Sequence, residues 1–239
     1  MEGNLEGVSL FLPRSHCGHC KKVINLIDLI PVFGYLIQLG KCRHCCKAIS
    51  YYYPLNELIH LLAGLILFNY FNISILFFVN YSLFFILYNL FVLDLKYFYL
   101  PVYFNISICF IGFTTNGVLG LYISPIYIPF ELSSIAISLI GFFVGYMSLW
   151  LINFIFKLLK KKEGIGGGDF ILFGGIGSLI GPLALAPIIL IGCLSLFLLL
   201  LIKPKQYCNE IPLGSGIIFG FFIYSLSNFF ELSFLLSVI

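Results

Sequence analysis

Two carboxylates interrupt an otherwise apolar chain at positions where they could do chemistry. Asp94 closes a hydrophobic run in Leu93-Asp94-Leu95-Lys96-Tyr97-Phe98-Tyr99-Leu100-Pro101, and Asp169 follows the stretch Gly164-Ile165-Gly166-Gly167-Gly168. Two carboxyls brought within hydrogen-bonding distance do not both ionise easily, so one keeps a proton while the other activates water. Such a pair titrates as one unit and can hydrolyse a peptide bond: the charged partner takes a proton from water and the protonated one donates to the scissile carbonyl. Glycines without side chains let the backbone take unusual dihedrals and let a second chain approach Asp169. Blander readings compete: Asp94 as an interfacial charge beside Lys96, and Asp169 as the N-cap of a helix after a flexible loop.

A second set of chemically capable residues lies near the amino terminus. Cys17-x-x-Cys20 and Cys42-x-x-Cys45 account for four of 8 cysteines, in the spacing of small zinc-binding knuckles. Four thiolates at the corners of a tetrahedron suit a structural zinc ion, and so small a polar region has little core to fold around otherwise. His16, His19, His44 and Cys46 are further donors in the same stretch, and reduced thiols with no metal are the alternative. In a reducing compartment disulfides are not expected. Cys109, Cys193 and Cys208 read as small apolar residues in or near hydrophobic segments. Glu57 and His60, three apart, could share a helix face as a carboxylate–histidine metal site, against a hydrogen-bonded polar entrance to the first hydrophobic segment.

The elements that must position these groups are membrane helices. Of 239 residues 61% are hydrophobic and 10% charged, and the mean hydropathy is +1.07, whereas soluble domains carry about 25% charged residues. Apolar blocks long enough to cross a hydrocarbon core about 30 Å thick fall at roughly 55–71, 73–93, 100–122, 134–158, 170–186, 187–202 and 213–232. The fifth and sixth are divided only around Gly181, Pro182 and Pro187, by a turn or a kink. The expected fold is therefore all-α: a polytopic helical membrane protein of about seven spans, with a cysteine-rich domain over 1–54 and a transmembrane domain over 55–239. With about seven alternating spans, Lys96, Lys157 to Lys162, Lys203 and Lys205 all fall on the side of the basic amino-terminal region, and the opposite loops carry no Lys or Arg. That bias marks the cytoplasmic side. No internal repeat stands out. A net charge of +3 without a basic stripe does not indicate a nucleic-acid surface.

The sequence resembles the type IV prepilin peptidases, membrane aspartic peptidases that also methylate the new amino terminus of the pilin. The resemblance is carried by Pro13-Arg14-Ser15, the cysteine pairs, Lys41-Cys42, Tyr53-Pro54 and Glu57. It continues through Asp94 with Leu100-Pro101, Gly145-Tyr146-Met147-Ser148-Leu149-Trp150, and Phe156-Lys157. Lys162-Glu163-Gly164-Ile165-Gly166-Gly167-Gly168-Asp169-Phe170 and then Pro212 and Gly214 complete it. The family's catalytic aspartates fall on Asp94 and Asp169, 75 positions apart, with Gly166, Gly168 and Glu57 in support. The resemblance implies cleavage of prepilins or pseudopilins after a Gly at the cytoplasmic face of a bacterial inner membrane, with lipid around the enzyme. It implies that the cysteine domain supports N-methylation with S-adenosylmethionine as the donor; no nucleotide-binding glycine motif marks where that donor would sit. Val102 and Ile171 depart from an Asp and a Lys usual beside the aspartates, and Leu29, Gly34 and Tyr52 from Asn, Ser and Arg usual in the cysteine domain. The family's usual eight spans are expected here as seven, without the one that precedes the cysteines.

Two other readings remain open on the residues. A homologue that binds leaders without cutting them would keep the fold. An ion transporter would use membrane carboxylates and a glycine break, but charges near the middle of spans, its usual mark, are missing.

Overall fold

The computed structural model describes residues 15–119, 132–202 and 211–238, with the side chains of Leu119 and 229–238 excepted. Lys203, Lys205, Cys208 and the Pro13-Arg14 pair lie outside the described residues. Among the described residues regular structure is nearly all helical: α1 (Phe33–Ile37), α2 (Tyr52–Phe71), α3 (Ile75–Tyr97), α4 (Val102–Leu119), α5 (Ser134–Lys160), α6 (Gly167–Ile180), α7 (Leu185–Ile202) and α8 (Leu213–Val238), with a 3-10 turn at Ile27–Leu29. No strand occurs among them, only two isolated β-bridges.

Each of the seven expected apolar segments contains a helix among the described residues, but these do not all have the same length. Four helices, α2, α3, α5 and α7, are long and apolar enough to cross a membrane, while the shorter apolar stretches are Val102–Val118, Gly167–Ile180 and Leu213–Asn228. The question left at Gly181 resolves to a turn. Gly181 has φ +87° and ψ 171°, a conformation that side chains resist, and Pro187 falls in the first turn of α7, where its missing N–H has no intrahelical partner to lose.

The chain divides into two compact units at Tyr81/Ser82. In the first, two cysteine loops share one backbone design. The His16–Val23 bridge closes the first loop and Lys41–Ala48 closes the second. Cys17 and Cys42 donate their backbone N–H groups to Lys22 O and Lys47 O, both at 2.9 Å, and receive at their carbonyls the N–H groups of Lys21 and Cys46, at 3.0 and 2.9 Å. Lys21 and Cys46 both take positive φ, 58° and 55°. The two loops are thus a short internal repeat, Cys17-Gly18-His19-Cys20-Lys21-Lys22 and Cys42-Arg43-His44-Cys45-Cys46-Lys47, which corrects the expectation of none. A six-residue unit with two variable positions is too brief to stand out as periodicity. An Arg43–Asp28 ion pair of 2.9 Å ties the second loop to the 3-10 turn.

In the second unit α6 is the buried centre, its residues from Asp169 to Leu179 almost all out of solvent. Lipid tails give no hydrophobic drive to helix pairing, so close van der Waals approach between small residues takes its place. Gly141 of α5 lies against the backbone of Gly177, and a Cβ on Gly145 would stand 2.6 Å from the carbonyl of Phe173. A polar clasp adds to this: the Asn116 amide of α4 donates to Ser138 Oγ on α5 at 3.0 Å and to the carbonyls of Ser178 and Leu179 on α6 at 2.9 and 2.7 Å. On another side α3 meets α8 where the Phe84 and Phe222 rings lie 6.1 Å apart, and Leu83, Leu87 and Leu90 belong to the same core as Ile217, Ile218 and Phe221.

Candidate active site

The two aspartates converge on the start of α8. Asp94, near the end of α3, accepts the backbone N–H of Ser215 at 2.6 Å through Oδ2, a contact across 121 positions of sequence. Ser215 is the third residue of α8, so this carboxylate satisfies one of the helix's unpaired first-turn donors and faces the positive end of its dipole. Asp169 approaches the adjacent residue: a Cβ built on Gly214 would stand 3.2 Å from Asp169 Oδ1. Asp94 is 4% exposed and Asp169 9%.

These positions dispose of both blander readings. Asp94 is a buried acceptor and not a solvated interfacial charge. Asp169 is not a helix N-cap either: that place belongs to Gly166, in extended conformation and without a side-chain cap, and Asp169 is the third residue of α6. Its Oδ1 is buried and has no hydrogen-bond partner among the described residues.

The glycine loop before Asp169 is held from two sides. Asn153 of α5 accepts the N–H groups of Gly164 and Ile165 at 2.9 and 3.0 Å through Oδ1. From α4, the Asn105 amide donates to the carbonyl of Gly168 at 3.0 Å. Lys157 pairs with Glu163 at 2.7 Å on the exposed side, and holds its carboxyl below the usual range by donating a hydrogen bond. The glycines differ in what surrounds them. A Cβ on Gly168 would meet Leu100 Cβ at 2.9 Å and one on Gly166 would stand 3.3 Å from Asp169 Oδ2, while one on Gly167 would meet nothing within 4 Å. Leu100 therefore sits between Gly168 and Gly214, beside the carboxyl of Asp169.

Sequence reasoning missed Asn105, Asn153 and Ser215. The two asparagines carry a faint signal, an amide inside an apolar helix; Ser215 carries none, because its contribution is a backbone N–H that any residue but proline would have.

In the first unit Cys17, Cys20, Cys42 and Cys45 form a cluster whose sulfur atoms all lie within 4.8 Å of one another. Cys17 Sγ and Cys45 Sγ are 3.9 Å apart. A tetrahedron with metal–sulfur bonds of about 2.3 Å has edges of about 3.8 Å, and all four thiols are free, so the donor set could hold a metal ion. The N–H groups of Cys20 and His19 point at Cys17 and bring its thiol down to about 6; those of Cys45 and His44 lower Cys42 in the same way. At Cys45 the Lys47 N–H also lowers, but lost hydration and the neighbouring sulfurs outweigh it and push the thiol up to about 11. Crowded sulfurs, two of them with thiols shifted downward, are what a thiophilic cation would relieve. Cys46, His16, His19 and His44 are not in this cluster.

Glu57 holds the backbone within the first unit. Its Oε2 accepts the N–H of Val32 at 2.8 Å. Val32 has φ +64° and ψ −49°, a costly conformation for a β-branched residue, and Phe33 N donates to Pro31 O at 2.7 Å across it. Glu57 thus pins a strained three-residue turn. Two residues on, a Cβ at Gly34 would fall on the carbonyl of Asp28, which accounts for glycine there in this chain.

Two family models match the chain. Residues 4–71 match the Bacterial Peptidase A24 N-terminal domain, and residues 81–202 match the Type IV leader peptidase family. The chain belongs to the type IV leader peptidase family. Among family members, a type 4 prepilin-like proteins leader peptide-processing enzyme of Escherichia coli O78:H11 (strain H10407 / ETEC) is 32% identical over 214 residues, 89% of this chain and 75% of that protein. A prepilin leader peptidase/N-methyltransferase of Pectobacterium carotovorum subsp. carotovorum is 31% identical over 78% of this chain and 63% of its own length. One from Aeromonas salmonicida is 30% identical over 87% and 69%. No solved structure gives a significant match. Within the type IV leader peptidase family this chain is a peptidase of the membrane.

Proposed function

We propose that the chain cleaves the leaders of type IV prepilins and pseudopilins after a Gly, at the cytoplasmic face of a bacterial inner membrane, with Asp94 and Asp169 as its catalytic pair. The observation that carries this reading is the meeting of two buried carboxyls from α3 and α6 at consecutive residues, Gly214 and Ser215, of α8. One carboxylate takes the proton of a water molecule as that water attacks the scissile carbonyl, and the other carboxyl donates to the carbonyl oxygen. The tetrahedral intermediate collapses as the leaving amine takes a proton from the pair. Burial keeps competing solvent out and strengthens each of these contacts.

The basic residues around both units favour seven spans with the catalytic end of α3 and α6 at the cytoplasm, where a basic leader would meet the enzyme while the apolar pilin helix lies in lipid. Zinc suits the four cysteines of the first unit, with Cys17, Cys20, Cys42 and Cys45 as its ligands and a role in folding rather than reaction. The first unit is also the place for N-methylation. It carries a half-open cavity of about 590 Å3, with Cys17, Asp28, Tyr35, Cys42, Tyr53 and Glu57 among its walls, within the range that takes a ligand of nucleoside size. When bound, S-adenosylmethionine supplies an electrophilic methyl group; the aromatic walls Tyr35 and Tyr53 suit its adenine end.

The test is expression of the chain with a prepilin, scoring leader removal and the methylated terminus separately. Cleavage lost in both Asp94→Asn and Asp169→Asn, with either variant still in the membrane fraction, is the expected result. Cleavage surviving in either defeats the assignment.

A further inference from the structure

A buried side-chain amide next to the proposed site has one end unused. Asn105, in the first turn of α4, is 0% exposed. Its Nδ2 donates to the carbonyl of Gly168, the residue before Asp169, at 3.0 Å. A carbonyl accepts and cannot donate, so this contact fixes which end of the amide is nitrogen and turns Oδ1 the other way. Oδ1 is buried and has no hydrogen-bond partner among the described residues, and the same holds for Asp169 Oδ1. Two acceptors without donors, one on the reacting carboxyl and one on the side chain that holds the carbonyl of the residue before it, are costly to bury and pair with donors brought from outside. Water brings such donors to the carboxyl. An extended peptide brings another kind, its backbone N–H groups, which recur along the strand and recognise any sequence.

We propose that Asn105 is a substrate-binding residue: its Oδ1 accepts one backbone N–H of the peptide held beside Asp169, while its Nδ2 keeps the Gly168 carbonyl in place. The role rests on the peptidase reading and adds to it the group that holds the substrate's main chain. A leucine or valine of similar size would fill the space and lose both contacts. The acceptor is directional and single, so its effect falls on one amide of the substrate.

The test replaces amides by esters. A synthetic peptide with a basic leader, the Gly at the cleavage point and the start of an apolar helix is made with one backbone N–H at a time exchanged for oxygen, the scissile bond excepted. Each is assayed with the full chain in detergent or vesicles. In the wild type one ester position lowers kcat/KM about tenfold, mainly through KM. Asn105→Val begins lower with the all-amide peptide and loses nothing more at that position, while its other positions follow the wild type. Asn105→Asp, which keeps an acceptor, retains the sensitivity. Asn105→Ser, whose hydroxyl is too short to reach both partners, serves in place of the valine variant if that one does not accumulate in the membrane, and is expected to lose the sensitivity in the same way. A profile unchanged by loss of the amide, or one in which no ester position stands out, overturns the proposal and leaves Asn105 as a brace of the glycine loop. A wild-type chain that cleaves no all-amide peptide defeats the peptidase reading itself, an outcome distinct from cleavage indifferent to Asn105.

Discussion

The carboxylate site and the cysteine site are assembled in opposite ways. Each cysteine loop is built by its own few residues: a bridge, two short hydrogen bonds and one residue at positive φ, repeated with the same geometry at Cys17 and at Cys42. The carboxylate site has no local structure of its own. It exists because α3, α6 and α8 pack, and its decisive contact joins Asp94 to a residue 121 positions away. A site made of loops can be disturbed by changing one of its own residues; a site made by packing also depends on every glycine that lets the helices close.

The sharpest way to break this comparison is a reciprocal exchange. Asp94→Asn or Asp169→Asn is expected to lower cleavage by roughly 10⁴-fold or more, as for other groups that act as one catalytic unit, and to leave metal content untouched. Cys17→Ser combined with Cys42→Ser is expected to strip the metal, read by elemental analysis of the purified chain, because two of four thiolates leave a site whose binding free energy is on the order of 10 kcal/mol. Cleavage is expected to survive within a few-fold, since the carboxylates lie in the other unit. Loss of metal in the aspartate variants, or collapse of cleavage with the cysteines, would mean that the two sites are not independent. Protease digestion of the cysteine variant should then begin in the first unit.

Much of this difference was already visible in the residues. The knuckle spacing and the two aspartates are explicit in the sequence, as are all seven apolar segments, because helix length and ligand spacing are local properties. The partners of the aspartates were not. Ser215 offers only its backbone, Asn105 and Asn153 are single amides in apolar stretches, and the wedge formed by Leu100 depends on where Gly168 and Gly214 come to rest. The repeat of the two cysteine loops escaped for another reason: its unit is the backbone turn, and only the cysteines, His19 with His44, and Lys22 with Lys47 recur in type.

A middle-sized effect separates donor from side chain at α8. Ser215→Ala keeps the N–H that Asp94 accepts and is expected to leave cleavage within about threefold. Ser215→Pro removes it, and a hydrogen bond to a charged group is worth about 1.5–3 kcal/mol, so cleavage should fall about 10- to 100-fold. Proline is tolerated in a first helical turn, and the glycine before it is the residue least hindered by it. Equal activity of the two variants would remove Ser215 from the site.

The smallest effects test the glycine loop, where the carboxylate site is most like a local one. If those glycines serve only as a flexible stretch, replacing any of them by alanine should cost about the same. The packing says otherwise. A Cβ on Gly168 would press on Leu100 Cβ at 2.9 Å, whereas one on Gly167 would meet nothing within 4 Å. Neither has positive φ, so both variants keep an allowed backbone and the comparison isolates crowding. Overpacking costs about 1–3 kcal/mol, and here it would push α6 away from Leu100 and shift Asp169 against Asp94. Gly168→Ala should therefore lower kcat by about tenfold with little change in KM, while Gly167→Ala should match the parent chain in both. Parity between the two would return the loop to a flexible tether, and leave Asp169 positioned by the helix alone.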